Sequence, residues 1–80
     1  MKELKDLKTR TYDAGHGYEV DIVTNDQNGT YKAYLYHKEY GNKIFMFGMP
    51  IEQQSYDVFL EIVAANVDDY IDDLEMLNNM

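Results

Sequence analysis

Cysteine and tryptophan are absent from this 80-residue chain, and proline and serine occur once each, at Pro50 and Ser55. The missing cysteine excludes a disulfide staple, a thiolate metal site and a cysteine nucleophile, and it fits a reducing, cytoplasmic setting. Long apolar runs are missing as well. Nothing approaches the roughly 20 residues of a membrane-spanning helix. The opening residues, Met1-Lys2-Glu3-Leu4-Lys5-Asp6-Leu7-Lys8, lack the apolar core of a secretory signal, and none is expected. A third absence is local. Residues 51–80 hold eight acids (Glu52, Asp57, Glu61, Asp68, Asp69, Asp72, Asp73, Glu75) and no base. Residues 1–50 hold seven acids and all seven bases, so the net charge of −8 belongs wholly to the C-terminal part. An uneven charge of this kind marks an interaction surface. It argues against direct contact with nucleic acid, which needs clustered Lys and Arg, and suits a basic protein partner.

What is present points to one small globular domain: 45% of residues are hydrophobic and 14% aromatic. Tyr18, Val20 and Ile22 alternate with Glu19 and Asp21, the period of a half-buried strand across Tyr18–Asn25. Asp26-Gln27-Asn28-Gly29 is the turn that follows, its glycine supplying positive φ. Residues 30–38 form a second strand, with Tyr31, Ala33, Leu35 and His37 on one face and Lys32, Tyr34, Tyr36 and Lys38 on the other. After the turn Glu39-Tyr40-Gly41-Asn42, residues 43–49 make a third strand that Pro50 ends. Its two faces are both apolar, the mark of a central strand or one covered on both sides. Ser55 is placed to cap a helix over residues 56–77, in which Phe59, Ile62, Val63, Val67, Tyr70, Ile71, Leu74 and Leu77 recur at threes and fours. Asp13 to Gly17, with two glycines, reads as a loop. Leu4 and Leu7 suit a short helix or a frayed arm, and a further strand over residues 8–12 is the main alternative for that region. The fold class is therefore α+β: a three-stranded, or four-stranded, antiparallel meander with one long C-terminal helix, (α)-β-β-β-α.

Chemistry-bearing groups are few. Ser55 is explained by its capping role. His16, between two glycines near Asp13, is placed where a general base can sit, but loop histidines are mostly solvent-exposed; His37 reads as a satisfied sheet histidine. Acid–base work needs a partner and a pocket, and neither is evident. Catalysis is not expected, nor is a cofactor. Asp68-Asp69-Tyr70-Ile71-Asp72-Asp73 matches the DDxxD pattern of prenyl-transferring enzymes without the second aspartate helix, the bases or the deep cavity of that chemistry. A weak divalent site from Asp69, Asp72 and Asp73 is the alternative to a plain solvated face, and no metal is expected. Residues 24–29 faintly match a calcium loop, but the first ligand position is Thr24 and the closing glutamate position is Leu35, so it fails as an EF-hand. Asn28-Gly29-Thr30 is formally a glycosylation sequon, but the turn explains it.

The eight tyrosines are the most unusual feature of the composition. Lys32, Tyr34, Tyr36 and Lys38 on one strand face resemble a base-stacking platform. Glu19 and Asp21 beside them favour cross-strand ion pairs instead. Tyr34 and Tyr36 thus read as structural cover or as part of a protein-binding face.

In the order of its features from Tyr18 to Leu74, the chain resembles the βββα module of HicB-type antitoxins. Residues 18–23 correspond to the first strand of that module and Asn28-Gly29-Thr30-Tyr31 to its turn into the second. Phe59-Leu60-Glu61, Ala65-Asn66 and Tyr70 correspond to its helix. In size, acidity and element order the chain also resembles small phage and mobile-element inhibitors of the anti-CRISPR and anti-restriction type. The first resemblance implies a toxin as partner, and the second a non-catalytic inhibitor whose carboxylates stand in for phosphates in a basic groove. The residues expected to meet the partner are Glu61, Asp68, Asp69, Asp72, Asp73, Glu75, Tyr34 and Tyr36. The alternative is a homo-oligomer, such as a homodimer, in which the helix or the third strand pairs with its copy, with surplus apolar surface at Phe45, Met46, Phe47 and Met49 and the acidic helix face merely solvated. No membrane partner is expected.

Overall fold

The computed structural model describes residues 8–78. The expectation about Leu4 and Leu7 lies outside them. Four strands run in sequence order across one antiparallel sheet: β1 (Thr9–Gly15), β2 (Tyr18–Asn25), β3 (Thr30–His37) and β4 (Lys43–Pro50). A single helix, α1 (Tyr56–Asn78), crosses one face of it. The class is α+β, a strand meander followed by a C-terminal helix, and the sheet takes the four-stranded form.

β1 extends past residue 12, into the segment read as a loop. The chain then reverses over only two residues, His16 and Gly17, with φ of 56° and 85°. Positive φ at both central positions gives a turn the twist that antiparallel strands need. Gly15, at φ 86°, absorbs a register shift just before it, and the Gly15 N–H donates to the Asp13 carboxylate at 3.0 Å. The next turn is longer than a bare Asn-Gly pair. The Asn25 side-chain oxygen accepts from the N–H groups of Gln27 and Asn28, and only Gly29 of that pair takes positive φ.

β4 differs most from its sequence pattern. It is an edge strand, not a central one, and a bulge explains its two apolar faces. Ala33 pairs with Phe47 and Tyr34 with Phe45, leaving Met46 unmatched. The extra residue breaks the alternation, so Met46 is buried in the core beside Phe47, while Phe45 is left 54% exposed on the opposite face. The Tyr70 hydroxyl on α1 donates to the Met46 carbonyl at 3.2 Å, satisfying an acceptor at the bulge. Pro50 closes the strand from within, a position an edge tolerates.

Ser55 caps α1 as expected: its hydroxyl oxygen accepts from the Val58 N–H at 3.3 Å and its carbonyl from the Phe59 N–H at 3.0 Å. The core lies between α1 and the alternating residues Tyr18, Val20, Ile22, Tyr31, Ala33 and Leu35. Phe59, fully buried, stacks on Tyr31 with centroids 5.2 Å apart and meets Phe47 edge-on at 5.6 Å.

The first hairpin yields a graded prediction. A Cβ at Gly15 meets nothing within 4 Å, whereas one at Gly17 falls 2.6 Å from His37 Nε2, a ring already held against Tyr18 and Tyr40. Gly15→Ala should therefore cost only the left-handed backbone penalty of about 1 kcal/mol, and Gly17→Ala roughly 2–3 kcal/mol. Urea unfolding of both variants checks the order, and adding His37→Ala to Gly17→Ala should recover the difference.

Candidate functional site

The expected partner-facing residues separate onto two sides of the molecule. Glu61, Asp68, Asp69, Asp72, Asp73 and Glu75 are all exposed on α1, on the side away from the sheet. Tyr34 and Tyr36 point the other way, because they alternate with Tyr31, Ala33 and Leu35, which lie under the helix. One partner surface of ordinary size therefore does not span both groups.

On α1 the carboxylates are not evenly spread. Asp57, Glu61, Asp68, Asp72 and Glu75 are separated by threes, fours and one interval of seven, and so form a single stripe, with Ala64 exposed in its gap. Asp69 and Asp73 lie on the other flank of the outward arc. None of the ion pairs among the described residues involves these seven acids. The last turn carries no base, so Glu75 sits there uncompensated at the negative end of the helix dipole, with Asp72 and Asp73 in the turn before it. Among the described residues no three acidic or histidine side chains converge as a cation site.

Beside the stripe runs an apolar groove of about 340 Å³. Leu60, Val63, Ala64 and Val67 of α1 form one wall, and Tyr12 and Ala14 of β1 the other, with Asp13 at its margin. Among the described residues no lysine or arginine lines it. β1 is the edge of the sheet on this side. The groove went unread in the sequence because it depends on β1, which was only the alternative there. At the far end of α1 a smaller hollow of about 170 Å³ lies among Tyr18, His37, Tyr40, Ile44, Leu74 and Leu77. His37 Nδ1 accepts the Glu39 N–H at 3.1 Å, so the neutral ring carries its proton on Nε2. His16 stands exposed at the tip of the first turn, and its left-handed backbone accounts for its position.

The other sheet face is organised around Asp21, whose exposure is only 7% although no helix among the described residues covers it. One carboxylate oxygen accepts from Thr11 Oγ1 at 2.7 Å and from the Tyr36 hydroxyl at 3.3 Å; the other takes the Lys43 ammonium at 2.9 Å. The Tyr36 hydroxyl also donates to Glu19 at 3.0 Å, and Lys43 lies over the Tyr36 ring, 5.0 Å from its centroid. Tyr34 packs on Phe45. Tyr36 is thus engaged within the sheet, and the ion pair expected beside the tyrosines forms with Lys43, across β3. Met46, Phe47 and Met49 turn toward the helix side, so of the apolar surplus in β4 only Phe45 counts among the large exposed hydrophobics.

Burial and the two acidic acceptors push the Tyr36 hydroxyl well above the ordinary tyrosine value of 10.0, and burial raises Tyr18 and Tyr56 in the same direction. A raised folded-state value favours the neutral hydroxyl, so its contribution is whole below about pH 10 and is lost as pH climbs toward the folded values. Stability should accordingly fall on the alkaline side, between about pH 10 and pH 12, and Tyr36→Phe should flatten that fall. Urea midpoints across this range check it; a slope identical to wild type overturns the assignment.

No helix among the described residues is long and apolar enough to cross a membrane. Comparison with known proteins finds no family, no curated protein and no solved structure that matches this chain.

Proposed function

We propose that this protein is a non-catalytic binding module of the cytoplasm that docks its acidic helix on a basic surface of a partner protein. The partner of best fit is a nucleic-acid-acting enzyme or toxin, which the module inhibits by placing carboxylates where phosphates otherwise bind. The observation that carries this reading is the outward face of α1: seven carboxylates, none in an ion pair among the described residues, in a segment with no base. Carboxylates at spacings of three and four repel by a few tenths of a kcal/mol per pair, and those near the helix C-terminus oppose the dipole. Only Asp57, in the first turn, meets the helix dipole favourably; the other six give the helix no such gain, and a cationic partner relieves their repulsion. Likeness to small phage or mobile-element inhibitors supports the DNA-mimicking role, likeness to HicB-type antitoxins supports a toxin as partner, and the lack of cysteine suits the compartment.

That cost makes the test specific, because binding and stability should move in opposite directions. Changing Asp68, Asp69, Asp72 and Asp73 together to Asn should leave stability unchanged or raise it by up to about 1 kcal/mol. The same change should abolish capture of proteins from the heparin-binding fraction of a host extract. Capture by the unchanged protein should weaken steeply with salt, since complementary charge mainly speeds encounter, and should be competed by DNA fragments. Undiminished capture by the quadruple variant refutes the reading.

A further inference from the structure

We infer that the groove between β1 and α1 receives a basic amphipathic helix of the partner, its apolar side chains seated between Leu60, Val63 and Val67 on one wall and Tyr12 and Ala14 on the other. The inference rests on the acidic-docking reading and specifies the partner element that such docking would seat.

Three observations carry it. The groove is apolar along its walls yet carboxylate along its helix-side rim, where Glu61 and Asp68 bracket the exposed Ala64 one turn to either side. A segment that fills it must therefore be apolar on one face and cationic on the flank that meets α1. Such a helix lays apolar side chains at i, i+3, i+4 and i+7 into a groove and leaves Lys and Arg to reach the rim. The third observation concerns the alternative of strand addition to the open edge of β1. The register shift between Asp13 and Gly15 breaks the edge beside the groove, and bulges of this kind turn an edge away from further pairing. A helix satisfies its own backbone groups and needs no such edge.

The groove also explains why Ala64 interrupts the acidic stripe. A long side chain there would project across the mouth of the groove, whereas alanine leaves it open and keeps helix propensity high.

The test uses the full chain and a synthetic Leu/Lys peptide of about five helical turns, patterned to be amphipathic, beside a scrambled peptide of identical composition. Fluorescence anisotropy should show the patterned peptide binding at least about tenfold tighter than the scrambled one. Methyl resonances of Leu60, Val63 and Val67 should shift on titration. Ala64→Trp, which fills the groove while keeping every carboxylate, should abolish that preference, and so should Ala64→Arg; circular dichroism confirms that both variants fold. Equal, salt-sensitive binding of the two peptides, unaffected at position 64, overturns the groove inference and leaves the acidic-docking reading standing. Binding of neither peptide overturns the groove inference, and the docking reading is then judged by the capture of basic proteins alone. A concentration-dependent dimer in sedimentation that Ala64→Trp dissociates, with no peptide bound, overturns it in favour of a second copy as occupant.

Discussion

One sheet face has to be covered by one helix, and the fully buried Phe59 is where that covering is fixed. Its ring stacks on Tyr31 and meets Phe47 edge-on, so one residue near the start of α1 joins strands β3 and β4 to the helix. Truncating such a ring costs about 3–5 kcal/mol, and a domain this small has little more than that in total. Around it Tyr56 shares a hydrogen bond with Tyr12 at 2.7 Å, and Tyr70 donates to the Met46 carbonyl. These contacts tie the helix to β1 at one side and to β4 at the other, and so set its rotation about its own axis. With rotation set, which residues face water follows from spacing alone. The carboxylate stripe and the groove beside β1 are both consequences of how Phe59 is seated.

Among the described residues nothing covers the opposite face of the sheet, and that face is not apolar. Asp21, buried and ionic, would be costly there unless each oxygen were met, and Thr11, Tyr36 and Lys43 meet them. The network spans all four strands, with Thr11 on β1, Asp21 on β2, Tyr36 on β3 and Lys43 on β4. It therefore rewards one strand order and one register, a role in specificity more than in net stability. Phe45 and Tyr34 pack on each other beside it. An open face built this way presents hydroxyls and an ion pair to water, which explains how so many tyrosines coexist with a single covering helix.

Much of this was legible in the sequence because short-range periodicity was enough. The alternation from Tyr18 to Asn25 and from Thr30 onward, the Ser55 cap and the threes and fours of α1 all follow from local rules, and each stands in the fold. Two features escaped for physical reasons. In β1, Thr9, Thr11 and Asp13 alternate with Arg10, Tyr12 and Ala14, a polar mixture that reads as a strand only once β2 pairs with it. In β4, the bulge at Met46 shifts the alternation midway, so a strict period of two assigns Phe45 and Phe47 to one side and leaves Met46 on the other. The site was legible in part. The acids on α1 were visible from charge counting and the helical period. That Tyr34 and Tyr36 lie on the reverse of the molecule follows from the same alternation, once it is known that a single face is covered. The groove was not legible, since it lies between elements more than 40 positions apart in the chain.

On the docking proposed above, charge and groove would perform different parts of one recognition event. Exposed carboxylates act over distances comparable to the Debye length, about 8 Å at physiological salt, so they orient an approaching cationic surface before contact. Such steering changes the rate of association far more than the lifetime of the complex. Lifetime depends on desolvated contact, and an acidic face that stays hydrated supplies little of it. A charged helix alone would therefore bind quickly, release quickly and discriminate poorly among basic proteins. In the proposed complex the apolar walls of Leu60, Val63, Val67 and Tyr12 would supply the missing element, because side chains seated there must be spaced correctly as well as flanked by charge. Specificity would then come from the coincidence of the two patterns, each common by itself, on one flank of one helix.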